Sequence, residues 1–219
     1  MGTVKGATAK ATQARRALGE QTRLRILQAA DSEFAESGYQ AATMAHIAAR
    51  AGVAVQTVYF NFQNKPLLLR ALIMQAVMGY AEPERPEDTD WFSTVLQQHD
   101  GGTALHAFAQ GAVAIFSRAS VASETARIAA PTDPHVSTVY AEAENLREHQ
   151  FQRITHALEE HGALRCDLTA AKATDILLTL ASAQTYLQMT HSRGWHDDEW
   201  ANWLGDALGR LLLEANGRN

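Results

Sequence analysis

Two short amphipathic segments meeting at Ala51-Gly52-Val53 constrain this chain more than any other feature of its sequence. Thr43 is placed to accept from the free N–H groups of the segment after it. Ile47, Ala48 and Ala51 fall on the inner side of that segment, although His46 stands where Glu or Gln would complete a capping box. Gly52 supplies the left-handed residue that ends such a helix. A second helical pattern runs from roughly Ala54 to Phe62: Val58 and Phe62 point one way, Gln56, Thr57, Phe60 and Asn61 the other, with Tyr59 at the border. Short helices across a tight turn predict a helix-turn-helix whose second member packs by one face and offers the other. The plainer alternative for that face is a surface helix with two exposed aromatics.

The flanking sequence agrees with a small helical head. From about Thr22, residues Ile26, Leu27, Ala30 and Phe34 recur at helical spacing until Gly38, a natural stop. Residues 1–20 mix Ala, Thr, Gly and basic groups without apolar periodicity and are expected to form a flexible basic arm. Residues 1–80 hold nine Lys/Arg against four acids, a net +5, whereas the remainder carries −10. A basic head on an acidic body suggests that the head alone meets a polyanion; an unevenly charged solvated surface is the other reading. Amide, hydroxyl and aromatic groups on the free face suit base edges, thymine methyls and phosphate oxygens, with Lys65 adding a phosphate-seeking charge.

Thr43, Ile47-Ala48, Ala51-Gly52-Val53, Thr57-Val58-Tyr59-Phe60-Asn61-Phe62 and Asn64-Lys65 together resemble the DNA-binding head of the TetR family of transcriptional regulators. The resemblance covers about residues 22–70. It implies a second short helix lying in the major groove and DNA contacts, chiefly to phosphate, from Thr43, Gln56, Thr57, Tyr59, Asn61 and Lys65; Phe60 shares their face. Ala54 departs from the serine common there and removes a helix cap worth about 1 kcal/mol. Gln56 replaces a frequent glycine with a long amide able to bond adenine N6 and N7, and is the best candidate for a base reader. Asn61 replaces a common histidine and retains the ability to donate to a phosphate.

Beyond the head, a helix is expected from Pro66 to near Gly79, followed by a proline-rich acidic loop over 81–88. Long helices follow at about 102–128, 136–161, 169–192 and 197–215, punctuated by Pro131, Pro134, Gly162, Gly194 and Gly217. No strand pattern survives inspection. The predicted fold is all-α: an arm at 1–20, a three-helix helix-turn-helix domain at 21–65, and a larger helical ligand-binding and dimerisation domain at 66–219.

In the body, Ile176, Leu180 and Leu187 with Trp203, Leu204, Leu208 and Leu211 form apolar stripes suited to a four-helix interface between two copies, or to ordinary intrachain core. Trp91, Phe108, Phe116, Tyr140, Phe151 and Tyr186 supply aromatic surface for a cavity, though most such residues are simply core. Few basic groups accompany them, so a small apolar or amphipathic effector is expected.

Catalytic motifs are missing from the sequence: there is no glycine-rich phosphate loop, nucleophile elbow or recognisable carboxylate dyad. His149, His156, His161, His191 and His196 lack the spacing of a helical metal site, and the one cysteine, Cys166, reads as a buried, inert thiol. No cofactor and no metal is implied. The absence of a membrane-length apolar run and of a leader pattern predicts a cytoplasmic protein. The sequence is therefore expected to encode a homodimeric, ligand-responsive regulator of a double-stranded DNA operator, a repressor and not an enzyme. The alternative is a helical small-molecule-binding protein or enzyme with a vestigial DNA-binding head.

Overall fold

The computed structural model describes residues 3–79 and 85–214, with side chains from residue 13 onward except that of Ala14. Ala81–Glu84 of the expected acidic loop, Gly217 and the side chains of Lys5 and Lys10 lie outside the described residues. Two compact units emerge, Met1–Leu72 and Ile73–Asn219, so the division falls inside a helix rather than ahead of it at Lys65-Pro66.

The head contains α1 (Thr3–Ala41), α2 (Met44–Ala51), α3 (Val55–Phe62) and the first turns of α4 (Lys65–Met78). Helix α1 is interrupted at Gly38, whose φ of 73° and ψ of 163° make it the expected stop. Its start corrects an expectation, because helix begins at Thr3 instead of after residue 20. Alanine, lysine, arginine and glutamine there are strong helix formers, and the exposed side chains of Gln13 and Arg15–Glu20 show why no apolar period accompanies them. Ile26, Leu27, Ala30, Phe34, Ile47, Val58 and Leu72 are all at most 2% exposed and form the core of the head.

The body adds α5 (Asp90–Gln97), α6 (Gly101–Ala129), α7 (Pro134–Glu160), α8 (Ala170–Leu180), α9 (Ala183–Leu187) and α10 (Asp197–Leu212). The only extended pairing among the described residues is the isolated bridge Leu164–Leu213, and the fold is all-α. Side chains of Thr89, Asp100, Asp133, Thr169 and Ser182 accept from N–H groups in the first turns of α5 to α9, satisfying donors that have no partner within their helix. Between α7 and α8 the buried hydroxyls of Thr155 and Thr174 bond at 2.7 Å, so a polar pair sits within the core without an unmet group.

Three features of the body depart from expectation. The segment containing Trp91 and Phe92 forms α5, only eight residues long and too short to announce itself by period. The helix expected over 169–192 breaks at Ala181, where φ is −90° and ψ is 66°, and ends in a π-turn over Gln188–Ser192. Leu178 and Ala181 carbonyls at the break accept from Arg147 Nη1 at 3.1 and 2.9 Å, which offsets lost helical bonds. Cys166 is exposed rather than buried, because it occupies the turn before α8; Glu214 accepts from its backbone N–H at 2.7 Å, and the neighbouring carboxylate pushes the thiol pKa up.

Helix α10 explains why its apolar stripe is so wide: it serves two faces. Trp200, Leu204, Leu208 and Leu212 recur every fourth residue, are wholly buried, and pack in the body core with α6. Leu204 and Leu208 therefore have no surface left for a second chain, which corrects their assignment to a dimer interface. Trp203, Ala207 and Leu211 lie on another face, with Leu211 43% exposed. Leu204→Ala is expected to destabilise the body by about 2–5 kcal/mol, the cost of a core cavity. Leu211→Ala is expected to cost well under half as much, as read by urea denaturation under identical conditions.

Candidate nucleic-acid interface and ligand cavity

Helix α3 is anchored from one side. Val58 is wholly buried, Phe62 is 3% exposed, and the Arg23 guanidinium lies 4.5 Å from the centre of the Phe62 ring. The opposite side stays open: Phe60 is 90% exposed, Tyr59 is 49% exposed, and Gln56 is exposed beside them. Ala54 at the helix start provides no side-chain cap. An aromatic exposed to this degree gains nothing for the head's own stability, whereas a partner surface would cover it.

Other members of the expected contact set divide by geometry. Thr43 is the cap of α2, its hydroxyl oxygen accepting from His46 N at 3.1 Å, and it remains exposed. Thr57 is half-buried. Asn61 turns along its own helix and donates one Nδ2–H to the Thr57 carbonyl at 2.8 Å, which leaves its second N–H for any phosphate contact. Lys65 is likewise reassigned. Its ammonium donates to the carbonyls of Tyr39 at 2.6 Å and Ala42 at 2.9 Å and lies 4.2 Å from the Tyr39 ring centre. It acts as a hook from the start of α4 to the end of α1, because carbonyls left open there need a cation.

Sequence reasoning missed two elements of the head. Gln63 has φ 59° and ψ −49°, and the Asn64 N–H donates to the Phe62 carbonyl at 2.6 Å across it. This is a strained three-residue turn for a residue with a side chain. No composition signal marks it. Arg50 binds the Glu36 carboxylate in a two-pronged pair, at 2.8 and 2.5 Å, and also lies 3.4 Å from buried Glu33. That pairing holds the Glu36 carboxyl below its ordinary range.

The body encloses a cavity of about 120 Å³ between the end of α4, the 3-10 turn Pro86–Asp88, and helices α5, α6 and α7. Ile73, Met74 and Val77 form the α4 wall, and Arg118 of α6 fixes that wall by donating Nε to the Ala76 carbonyl at 2.9 Å. Trp91, Phe108, Phe116 and Phe151 of the expected aromatic set line the space. Two members do not. Tyr186 lies behind Phe116, stacked on it at 6.1 Å and donating its hydroxyl to Asp197 at 2.6 Å; burial pushes its pKa up. Tyr140 is half-buried elsewhere on α7, with its pKa raised by burial.

Sequence reasoning also missed the polar part of the wall: Glu87, Ser123, Glu144, Arg147 and Gln150. Each is an ordinary surface-type residue in a helical or loop pattern, and only tertiary packing turns it inward. Leu146, 38% exposed, lies on the same wall and marks a side open to solvent. Gly111 sets how closely Trp91 of the wall approaches α6. A Cβ there would come within 2.2 Å of the Trp91 ring, so only glycine lets the indole lie flat against α6. Among the described residues no group of three or more His, Cys, Asp or Glu is gathered as a metal site, and no helix is long and apolar enough to cross a membrane.

Comparisons with known proteins agree with this arrangement. Residues 26–72 match the family described as bacterial regulatory proteins, tetR family. No curated protein matches the chain. Among solved structures, NalD, the secondary repressor of the MexAB-OprM multidrug efflux pump in Pseudomonas aeruginosa, is 22% identical with a TM-score of 0.67, covering 91% of this chain and 99% of its own. FadR from Bacillus subtilis in complex with stearoyl-CoA is 16% identical with a TM-score of 0.67, covering 84% and 96%. A SmeT–triclosan complex is 18% identical with a TM-score of 0.66, covering 90% and 93%. These likenesses show a shared fold.

Gly111→Ala is expected to destabilise the body by about 1–3 kcal/mol through overpacking. Pairing it with Trp91→Leu should remove most of that loss, so a double-mutant cycle by chemical denaturation reads the contact directly.

Proposed function

We propose that this chain, whose head matches the family described as bacterial regulatory proteins, tetR family, over residues 26–72, is a cytoplasmic, homodimeric repressor released from a near-palindromic operator by a small molecule. The observation that carries this reading is the free side of α3, with Phe60 90% exposed and Gln56 and Tyr59 beside it, on a helix whose other side is buried. In the proposed complex, Gln56 reads a base edge, Tyr59 and Phe60 make aromatic and apolar contacts, and Thr43 and Thr57 approach phosphate. The open N-terminus of α3, lacking a side-chain cap, suits a phosphate as well.

Pairing of two copies would use faces the core covers only in part: half-buried Ile176, Leu180, Leu187 and Trp203 with exposed Leu211. Two recognition helices then address half-sites about 34–36 Å apart. The cavity is the proposed effector site, with Trp91, Phe108, Phe116 and Phe151 on its wall. A wall made of Ile73, Met74 and Val77 belongs to the same helix that starts at Lys65 in the head, which supports α4 as the transmitting element. A hundredfold loss of operator affinity requires the effector to prefer the released state by about 2.7 kcal/mol, within the usual range for coupled sites. NalD as a repressor and SmeT holding triclosan support this class of behaviour.

Selection from random duplex oligonucleotides with the full chain is expected to yield a palindromic site whose affinity falls steeply with salt. Gln56→Ala should relax discrimination at one base position in each half-site by about 1–3 kcal/mol while leaving the salt slope unchanged. Binding without sequence preference, or none at all, would reject the operator reading and favour a helical small-molecule-binding protein or enzyme with a vestigial head.

A further inference from the structure

We infer that His46 is a further operator contact, one that holds a DNA phosphate only while its imidazole carries a proton, and that buried Glu33 is the positioning residue behind it. This rests on the operator reading of the head and adds a proton to that binding equilibrium.

Among the described residues Glu33 is the one buried charged side chain, 5% exposed. Its oxygens face two residues of α2 one turn apart: Oε2 lies 3.4 Å from Arg50 Nη2, and Oε1 lies 3.4 Å from His46 Nδ1. Arg50 is shared, because both its terminal nitrogens donate to Glu36, at 2.8 and 2.5 Å. Two carboxylates against one guanidinium leave the cluster one negative charge in excess, and a buried carboxylate short of counter-charge favours a proton on the neighbouring imidazole. Apart from His46 and Arg50, α2 has no ionisable side chain, and α3 has only Tyr59. On α4 the Lys65 ammonium is engaged by the Tyr39 and Ala42 carbonyls. The missing positive charge therefore falls to His46.

Only the inner edge of the imidazole faces Glu33. The His46 side chain is 67% exposed, and with Nδ1 turned inward the Nε2 edge is left for a partner. His46 stands three positions after Thr43, at the start of α2, and so shares its side of the helix; Thr43 is proposed to approach phosphate. A neutral imidazole with its proton on Nδ1 presents a lone pair at Nε2, which a phosphate oxygen repels. The imidazolium donates from both nitrogens, to Glu33 and to the phosphate together. Operator binding is thereby coupled to uptake of one proton per head. Affinity is greatest where His46 is charged and falls as pH rises through the range in which imidazoles discharge, about pH 5 to 8. His46 is the single histidine within residues 1–80, so the other eight lie in the body and the response is assignable.

Fluorescence anisotropy of the full chain with its selected duplex, at fixed ionic strength across this pH range, tests the inference. Native affinity is expected to rise about tenfold for each head engaged between about pH 8 and pH 6, the worth of one charge-assisted contact. His46→Gln should bind at the native high-pH level throughout, and His46→Arg at the native low-pH level throughout. Glu33→Gln should move the response to lower pH, because the carboxylate that favours the imidazolium is gone; a purely structural role would leave the profile in place. A flat native profile, or a pH response that persists undiminished in His46→Gln, overturns the inference, and the native profile can do so even if a variant fails to fold. Tight, sequence-selective binding that ignores pH rejects the inference and keeps the operator reading. A chain that binds no duplex at either pH rejects both.

Discussion

The head depends on the burial of Val58 and Phe62. A helix of eight residues such as α3 is unstable alone, because the initiating turn fixes several dihedral angles for a single hydrogen bond. Full burial of an apolar side chain contributes roughly 1.5–3 kcal/mol, so these two residues supply what local propensity cannot. Their spacing decides which face is left over. With Val58 and Phe62 inward, Gln56, Tyr59 and Phe60 have no alternative but the outside, and the strained turn at Gln63 starts α4 at once rather than letting α3 continue.

In the body, the corresponding constraint is a size mismatch along α6. Phe108 and Phe116 are bulky, whereas Gly111, Ala112 and Ala119 on the same helix are among the smallest residues available. The Trp91 indole fills the space at Gly111, whereas the room beside Ala112 and Ala119 stays part of the cavity. Protein interiors otherwise pack to crystal density. The cavity is thus a product of residue sizes, while its polarity comes from α7, where Glu144, Arg147 and Gln150 follow one another at intervals of three along one side.

Much of the head was legible in the sequence because its signals are local. Thr43 as a cap, Gly38 and Gly52 as stops, and the inward pair of α3 each depend on neighbours within a few positions. The internal bonds of Lys65 and Asn61 were not legible. Both side chains suit phosphate by type, but the nearby carbonyls that engage them are fixed by the folded backbone. Helix periodicity predicted the long body helices well and failed where tertiary contacts override it. The break at Ala181 is sustained by Arg147, thirty-four positions away in sequence. The stripe of α10 could not reveal from periodicity alone that Leu204 and Leu208 serve the chain's own core while Leu211 does not.

The basic character of the head also means less than its count suggests. Arg23 sits on the Phe62 ring, Arg50 is paired with Glu36, and Lys65 is held by carbonyls, so three of the nine cations are committed to holding the head together. Arg15, Arg16 and Arg25 are exposed on α1 and Arg70 on α4, while α3 offers aromatic and amide groups. The two kinds of contact are therefore separated by element. In the proposed complex, phosphate attraction would set affinity and its salt dependence, and α3 would discriminate among sequences. Lys65, removed from the phosphate-seeking set, gains a different importance: it pins one end of α4, whose other end supplies Ile73, Met74 and Val77 to the cavity wall. Helix α4 is thus fixed at its start by a half-buried cation and borders the cavity at its end, so in the proposed regulator a single continuous hydrogen-bonded backbone would join the two sites.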